Sequence, residues 1–360
     1  MLKRLSTTER KKVRPTLKTI ADKLDLSVST VSRVLNGMAE KYRISKETEE
    51  LIKMTAAELE FSPNSLAQGL RLKRTFTFGL VIPDISNPFF STIARNVERE
   101  ARKYNYSIIL CDSDDSTQLE IQSLKMLQSR KVDGLIIFPV GQDASHLLKL
   151  YERGIPLVLI DRIFPNTPLP FVASDNYQGA FDAVAYLIDS GHNRIACIQG
   201  LPGTLPNDKR VQGYLDAHEQ YNIPINYDLI VGDNFGMQNG YIEMKMLLNL
   251  KKRPTAIFAL SNLISLGALK AITDEKLTVP GDFSLISFDE QPYSAFLSTP
   301  MTTILQQTEE MGKIAVRILI NQLEKGIDKD KHIYLPTKLN IRKSVKSLKG
   351  DILLTVKEHN

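Results

Sequence analysis

Residues 16–36, TLKTIADKLDLSVSTVSRVLN, constrain this 360-residue chain more than any other segment, because they fit two short helices joined by a tight turn. Leu17, Ile20, Ala21 and Leu24 recur at i, i+3, i+4 and i+7, the apolar stripe of an amphipathic helix. Asp25-Leu26-Ser27 reads as the turn, with Leu26 plugging inward and the Ser27 hydroxyl capping the next helix. In that second helix Val31, Val34 and Leu35 share the inner side, which leaves Val28, Ser29, Ser32, Arg33 and Asn36 outward. An outward arginine can fork onto guanine O6 and N7, a contact worth roughly 1–3 kcal/mol of base discrimination, while Ser29 and Thr30 suit phosphates. The pattern predicts a helix-turn-helix whose second helix enters a DNA groove, a reading that an ordinary helical hairpin does not match.

Ser45 caps a third predicted helix with a stripe of Thr48, Leu51, Ile52, Thr55, Ala56 and Leu59, completing a headpiece of roughly 45 residues, small for a unit folding alone. Residues 61–70, FSPNSLAQGL, follow as a short helix with Pro63 in its first turn and Gly69 near its end. Marginal by itself, it is expected to fold on pairing with a twin and with DNA.

Charge agrees with this placement. Residues 1–75 carry 16 Lys/Arg against 9 Asp/Glu, whereas the whole chain is only +5. Six basic residues lie in the first 15, among them Lys3-Arg4 and Arg10-Lys11-Lys12, and read as a flexible arm drawn to phosphate without reading bases. The rest is ordinary globular material, with no apolar run of membrane length and no secretory pattern, so a cytoplasmic protein is expected. Cys111 and Cys197 sit in apolar runs and read as buried free thiols; five histidines show no ligand spacing, so neither a metal nor a cofactor is expected.

From Phe76 onward short apolar runs (TFGLVI, SIILC, GLIIF, PLVLI, RIACIQ, TAIFAL, FSLISF) alternate with stretches of helical length and period. This predicts buried parallel strands in two doubly wound α/β sheets, with ligand gathering at the strand carboxyl ends in a cleft between two lobes. Those ends carry Pro83-Asp84 to Phe90, Asp161-Arg162, Asp175-Asn176 and Asp289-Glu290. Carboxylates accept from hydroxyls, arginine donates in a fixed fork and an aromatic face covers a ring, which suits a sugar-sized polyol. An aspartate after a strand is equally often a simple helix cap. No GxGxxG, GxxxxGK[ST] or GxSxG stands at the strand ends, against nucleotide or hydrolase chemistry.

TLKTIADKLDLSVSTVSRVLN followed by FSPNSLAQGL resembles the headpiece and hinge helix of the lactose-repressor family of bacterial transcription factors, and VIPDISNPFF, LVLIDR, ASDNYQGA, KRVQGY, LISFDE and MTTILQQ resemble its effector domain, which is similar to periplasmic sugar-binding proteins. The resemblance covers residues 15 to about 345 and implies a homodimeric repressor, not an enzyme, that binds a near-palindromic double-stranded operator under control of a small molecule, most naturally a carbohydrate. By it, Val28, Ser29 and Arg33 read the major groove, Asn36 and Asn64 contact the backbone, Leu70 wedges into a minor-groove step, and Thr16, Ser27, Thr30 and Ser32 complete the DNA-facing set. The family's effector contacts fall on Ser86, Asn87, Phe89, Arg162, Asp175, Arg210, Phe235, Asn262 and Asp289, with Arg210 as anchor.

Three departures are visible. The loop Gly37 to Ile44 is a few residues longer than usual, Ser261-Asn262 replaces an Asn-Asp pair, and Gln307 stands where proline or aspartate is common. Loss of that carboxylate beside Arg162 and Arg210 points to an unusual sugar, a sugar acid or a phosphosugar. The expected division is a basic arm (1–14), headpiece (15–61), hinge helix and linker (62–75), effector domain (76–345) and tail (346–360). The hinge-proximal lobe takes 76–176 and 304–336, the distal lobe 177–303 and 337–345. Two alternatives are a regulator controlled by a partner protein, as in the carbon-catabolite branch of the family, and a transport-type sugar-binding protein. A catalytic reading would pair His192 with Asp161 or Asp289, but the family has a structural histidine there.

Overall fold

In the computed structural model the structure describes residues 15–61, 74–326 and 331–349. The arm at 1–14, Asn64, Leu70 and the greater part of the expected hinge helix, and the end of the tail lie outside the described residues. The chain divides into two compact units, one ending at Lys73 and one starting at Arg74.

The first unit holds helices α1 (Leu17–Leu24), α2 (Val28–Leu35) and α3 (Lys46–Glu58). Thr16 and Thr19 form a reciprocal capping box at the start of α1, and Asp25 ends it in the left-handed region at φ 51°. Ser27 accepts from the Thr30 amide at 3.1 Å and Ser45 from the Thr48 amide at 3.2 Å, so each remaining helix starts at the cap its sequence offers. Ile20, Ala21, Val31, Val34, Ala39, Ile52 and Ala56 form the core, with Leu17, Leu24, Leu26 and Leu35 around its rim. Leu51 departs from the expected stripe: it is 50% exposed, because Ile52, Thr55 and Ala56 already fill the inner side of α3.

In the second unit the first half runs β1 (Thr77–Ile82), α4 (Pro88–Lys103), β2 (Ser107–Asp112), α5 (Thr117–Ser129), β3 (Gly134–Ile137), α6 (Ser145–Glu152), β4 (Leu157–Ile160) and β5 (Phe171–Ser174). The second half runs α7 (Asn176–Asp189), β6 (Ile195–Ile198), α8 (Leu205–Gln220), β7 (Ile230–Val231), α9 (Met237–Leu248), β8 (Ala256–Ala259), α10 (Asn262–Asp274), β9 (Ser284–Phe288) and β10 (Thr302–Leu305). The chain closes with α11 (Thr308–Lys325), β11 (His332–Leu335) and β12 (Lys338–Asn340).

These strands build two six-stranded sheets, ordered β11-β5-β4-β3-β1-β2 and β12-β10-β9-β8-β6-β7. All pairings are parallel except β12, which runs antiparallel to β10. Strands β3, β4, β5 and β8 are buried along their whole length, as expected of a sheet covered on both faces. SIILC differs from the expected buried strand: β2 is an edge, and Ser107, Leu110 and Asp112 are exposed. Apolar clusters pack both faces of each sheet, and Cys111 and Cys197 are free and buried within them.

The chain passes between the sheets three times, after β5, after β10 and after β11. The crossings are tied side by side: the Asp175 amide donates to the Leu335 carbonyl at 2.8 Å, and Gln307 Nε2 to the Pro336 carbonyl at 2.9 Å. Strand order reverses between β1 and β3 in one sheet and between β6 and β8 in the other, which opens a crevice at the carboxyl end of each.

Candidate functional site

A cleft of about 230 Å³ lies where the two crevices meet. From the first sheet it is lined by the segment after β1 (Pro83, Asp84, Asn87, Phe89, Phe90), by Asp114 and Asp115 after β2, and by Asp161 and Arg162 after β4. From the second it takes Pro206 and Arg210 of α8, Asn234 to Gly236, Ser261 to Leu263 around the start of α10, and Asp289 after β9.

Arg210 organises the centre. Its Nε donates to Asn176 Oδ1 at 2.8 Å, its Nη1 to the Leu260 carbonyl at 2.6 Å, and its guanidinium lies 3.7 Å from the centre of the Phe288 ring. The buried carboxyls of Asp161 and Asp289 both act on it electrostatically. Burial pushes each carboxyl above the usual aspartate range against the pull of Arg210, and the same burial lowers the arginine. Asp289 accepts from Gln306 Nε2 at 2.5 Å and from the Asn262 amide at 3.4 Å. Both aspartates sit at positive φ, 67° and 74°, a strained turn at the strand end.

Two hydrogen bonds join the loops of the two sheets. Asn262 Nδ2 donates to Asn87 Oδ1 at 3.0 Å, and Gln142 Nε2 to the Pro202 carbonyl at 3.0 Å. Arg162 donates to Asp115 at 2.6 Å and lies 5.6 Å from the Phe235 ring. Three buried acceptors, Asp161 Oδ1, Asn262 Oδ1 and Gln306 Oε1, have no donor from the protein. A hydroxyl-rich guest would supply what they lack, since an unsatisfied buried acceptor costs about 1–3 kcal/mol.

Of the residues expected to bind effector, Asn87, Phe89, Arg162, Arg210, Phe235, Asn262 and Asp289 line the cleft. Ser86 and Asp175 do not. Ser86 is exposed and its hydroxyl donates to Asp84 Oδ1 at 2.6 Å; Asp175 caps α7, accepting from the Gln178 amide at 3.0 Å. Asp175 takes the cap position because a helix begins right after its strand. Asp84 and Asp161, read among the strand-end residues, also line the cleft, and Asp114 and Asp115, just past the end of β2, were missed. His192 does not line the cleft: it is buried, with Nδ1 2.9 Å from Thr255 Oγ1 and Nε2 donating to the Lys346 carbonyl at 3.1 Å.

Because Asp161 and Asp289 hold protons more tightly folded than unfolded, their contribution to stability is full below the ordinary aspartate pKa and declines as pH rises through the raised values. Asp161→Asn is therefore expected to flatten the fall in melting temperature between mildly acidic and neutral pH. Thermal melts across that range check it, and an unchanged slope would mean that the carboxyl titrates as it does in water.

In the first unit Val28, Ser29 and Arg33 are exposed on α2. Ser27 and Thr30 share a hydroxyl hydrogen bond at 2.8 Å at its start, Thr16 caps α1, and Asn36 Nδ2 donates to the Ser32 carbonyl at 2.5 Å and Ser32 Oγ at 3.2 Å. No described helix is long and apolar enough to cross a membrane, and no group of three His, Cys, Asp or Glu among the described residues is placed to hold a metal.

Residues 16–64 match the family of bacterial regulatory proteins called lacI, and residues 184–345 match the periplasmic binding protein-like domain. The chain is 33% identical over 332 residues to catabolite control protein A of Priestia megaterium, covering 92% of this chain and 99% of that protein. It is 35% identical over 333 residues to the ribose operon repressor of Halalkalibacterium halodurans, covering 92% and 97%. Among solved structures, a LacI family transcriptional regulator from Enterococcus faecium with bound ribose superposes with a TM-score of 0.68 at 28% identity, covering 76% of this chain and all of that one. With a helix-turn-helix unit, a two-sheet unit and near full-length relatives, the chain belongs to the LacI family of DNA-binding transcriptional regulators.

Proposed function

We propose that this protein is a cytoplasmic, sequence-specific repressor that binds a near-palindromic operator as a homodimer and releases or tightens on it in response to a neutral monosaccharide in the cleft. The observation that carries the ligand class is the pair of unsatisfied buried acceptors on cleft-lining residues, Asp161 Oδ1 and Asn262 Oδ1, in a cleft with five carboxyls against two guanidiniums. Arg162 already bonds Asp115, and Arg210 is engaged by Asn176 and Leu260 between two aspartates, so a phosphate or sugar acid would add negative charge where it is already in excess. This weighs against the anionic effector suggested by the Asn262 substitution. The volume falls below the roughly 300–1,000 Å³ of drug-sized sites and suits one small ring, with Phe89 and Phe235 for its apolar side. The ribose in the Enterococcus faecium structure and the name of the ribose operon repressor make ribose the first sugar to test.

Dimerisation would align two headpieces with two half-sites and bring together two hinge segments at 62–70, with Leu70 entering the central minor groove. Ligand favouring the arrangement in which Asn87 meets Asn262 would shift the hinge equilibrium by the coupling typical of such sites, about 1–3 kcal/mol.

A thermal-shift screen of the full chain against neutral aldoses, their acids and their phosphates tests the ligand class. A rise in melting temperature with a neutral sugar and none with its phosphate is expected; the reverse would overturn the neutral reading.

A further inference from the structure

We propose that Tyr42 is a specificity-determining positioning residue: its ring holds the Arg33 guanidinium in the orientation in which that side chain meets a base. The inference rests on the reading of Arg33 as a base-contacting residue and assigns a task to the extended loop that follows its helix.

Arg33 is exposed in the last turn of α2, and its Cζ lies 4.0 Å from the centre of the Tyr42 ring. The loop that carries the ring is closely tied. The Met38 amide donates to the Arg33 carbonyl at 2.9 Å, and Gly37 turns the chain at φ 69°. Ala39 is 3% exposed and plugs into the headpiece core beside Ile20 and Ile52. Glu40–Tyr42 then form a single 3-10 turn, with the Tyr42 amide 3.2 Å from the Met38 and Ala39 carbonyls. Arg43 closes the turn in the left-handed region at φ 53°, and the Ile44 amide returns to the Ala39 carbonyl at 2.9 Å. The ring is thus fixed from the core side, while 43% of the residue remains exposed at the surface that carries Arg33.

The chemistry of the stack fits this role. A ring covers the face of a guanidinium and leaves its in-plane N–H donors open, and bidentate contact with guanine uses those edge donors. A carboxylate partner would occupy the same donors. An unsupported arginine must also give up rotamer freedom on binding, part of which a prior stack removes. Cation–π contacts at exposed sites are worth about 0.5–1 kcal/mol, which corresponds to an effect of about 2- to 5-fold on affinity.

The test uses the full-length protein and, as probe, a duplex that it selects from a randomised palindromic library. Affinity and base preference are measured for wild type, Tyr42→Ala, Tyr42→Phe, Arg33→Ala and the double variant Arg33→Ala with Tyr42→Ala. Tyr42→Ala is expected to weaken binding about 2- to 5-fold, with loss of preference confined to the base pair whose preference Arg33→Ala abolishes. Tyr42→Phe keeps the ring and should behave as wild type; in the Arg33→Ala background, removing the ring should have no further effect. Equal weakening at every base position, equal loss in Tyr42→Phe, an undiminished effect without Arg33, or tighter binding by Tyr42→Ala would each overturn the proposal. Arg33→Ala with base preference intact would instead remove the reading beneath it, an outcome distinct from failure of Tyr42 alone.

Discussion

Arg210→Ala is expected to abolish the thermal response to effector and to lower the melting temperature of the two-sheet unit by several degrees. The substitution removes the guanidinium shared by Asp161 and Asp289 and strips the donor from Asn176 Oδ1 and from the Leu260 carbonyl. Each acceptor left without its donor in the interior costs about 1–3 kcal/mol, and both buried carboxyls lose the cation whose field favours their charged form. Here two carboxyls remain, both without the cation that pulled their proton affinity down, and Asp289 adds to the rise at Asp161. The variant should lose stability more steeply than wild type as pH rises, and mild acid should restore part of it. Arg210→Lys keeps the charge but lacks the fork that serves Nε and Nη1 together and stacks on Phe288, so it should fall between the two. Thermal melts with and without sugar, over pH, separate these outcomes. An unaltered ligand shift in Arg210→Ala would remove Arg210 from the binding site.

Ile52→Ala should have the opposite distribution, with operator binding lost and sugar binding kept. Ile52 is fully buried among the seven residues of the headpiece core. Large-to-small changes of this kind cost about 2–5 kcal/mol, and a unit of this size has roughly 3–5 kcal/mol in total. With most headpieces unfolded at equilibrium, apparent affinity falls in proportion to the folded fraction, by about ten- to a hundredfold. The two-sheet unit has its own core clusters and should retain its melting temperature and ligand shift. Operator titration and a thermal melt of the same sample check both halves. Simultaneous loss of sugar binding would show that the units do not fold independently.

The headpiece was legible because its information is local: caps at Thr16, Ser27 and Ser45 and stripes spaced three and four residues apart fix each helix without reference to the rest of the chain. The long apolar runs likewise announced the central strands, since burial on both faces leaves no alternation to misread. Edge strands were harder. β11 has an exposed-and-half-buried alternation, β12 has three residues, and β7 has two, so none carries a run long enough to see. In the cleft, a polar residue after a strand has two destinies, and only the direction of the following chain decides between them. Asp175 turns into its helix as a cap, whereas Asp161 and Asp289, with the same sequence setting, take up positive φ and line the cleft with Arg210. Tyr42 belongs to the same class: nothing in the run of residues 37–44 reveals that a 3-10 turn will lay its ring over Arg33.

The threefold passage between the sheets also sets an order of completion during synthesis. The headpiece is made of consecutive residues and can fold as soon as it leaves the ribosome, as amino-terminal units generally do. The first sheet, by contrast, already has five strands by Ser174 yet waits for β11 at His332–Leu335 to add its outermost strand beside β5 and for α11 to cover a face. The second waits for β12 at Lys338–Asn340. Both halves of the second unit are therefore finished by the same closing stretch of chain. A ribosome that stops short of it leaves a completed helix-turn-helix unit attached to two sheets that each still lack an outermost strand.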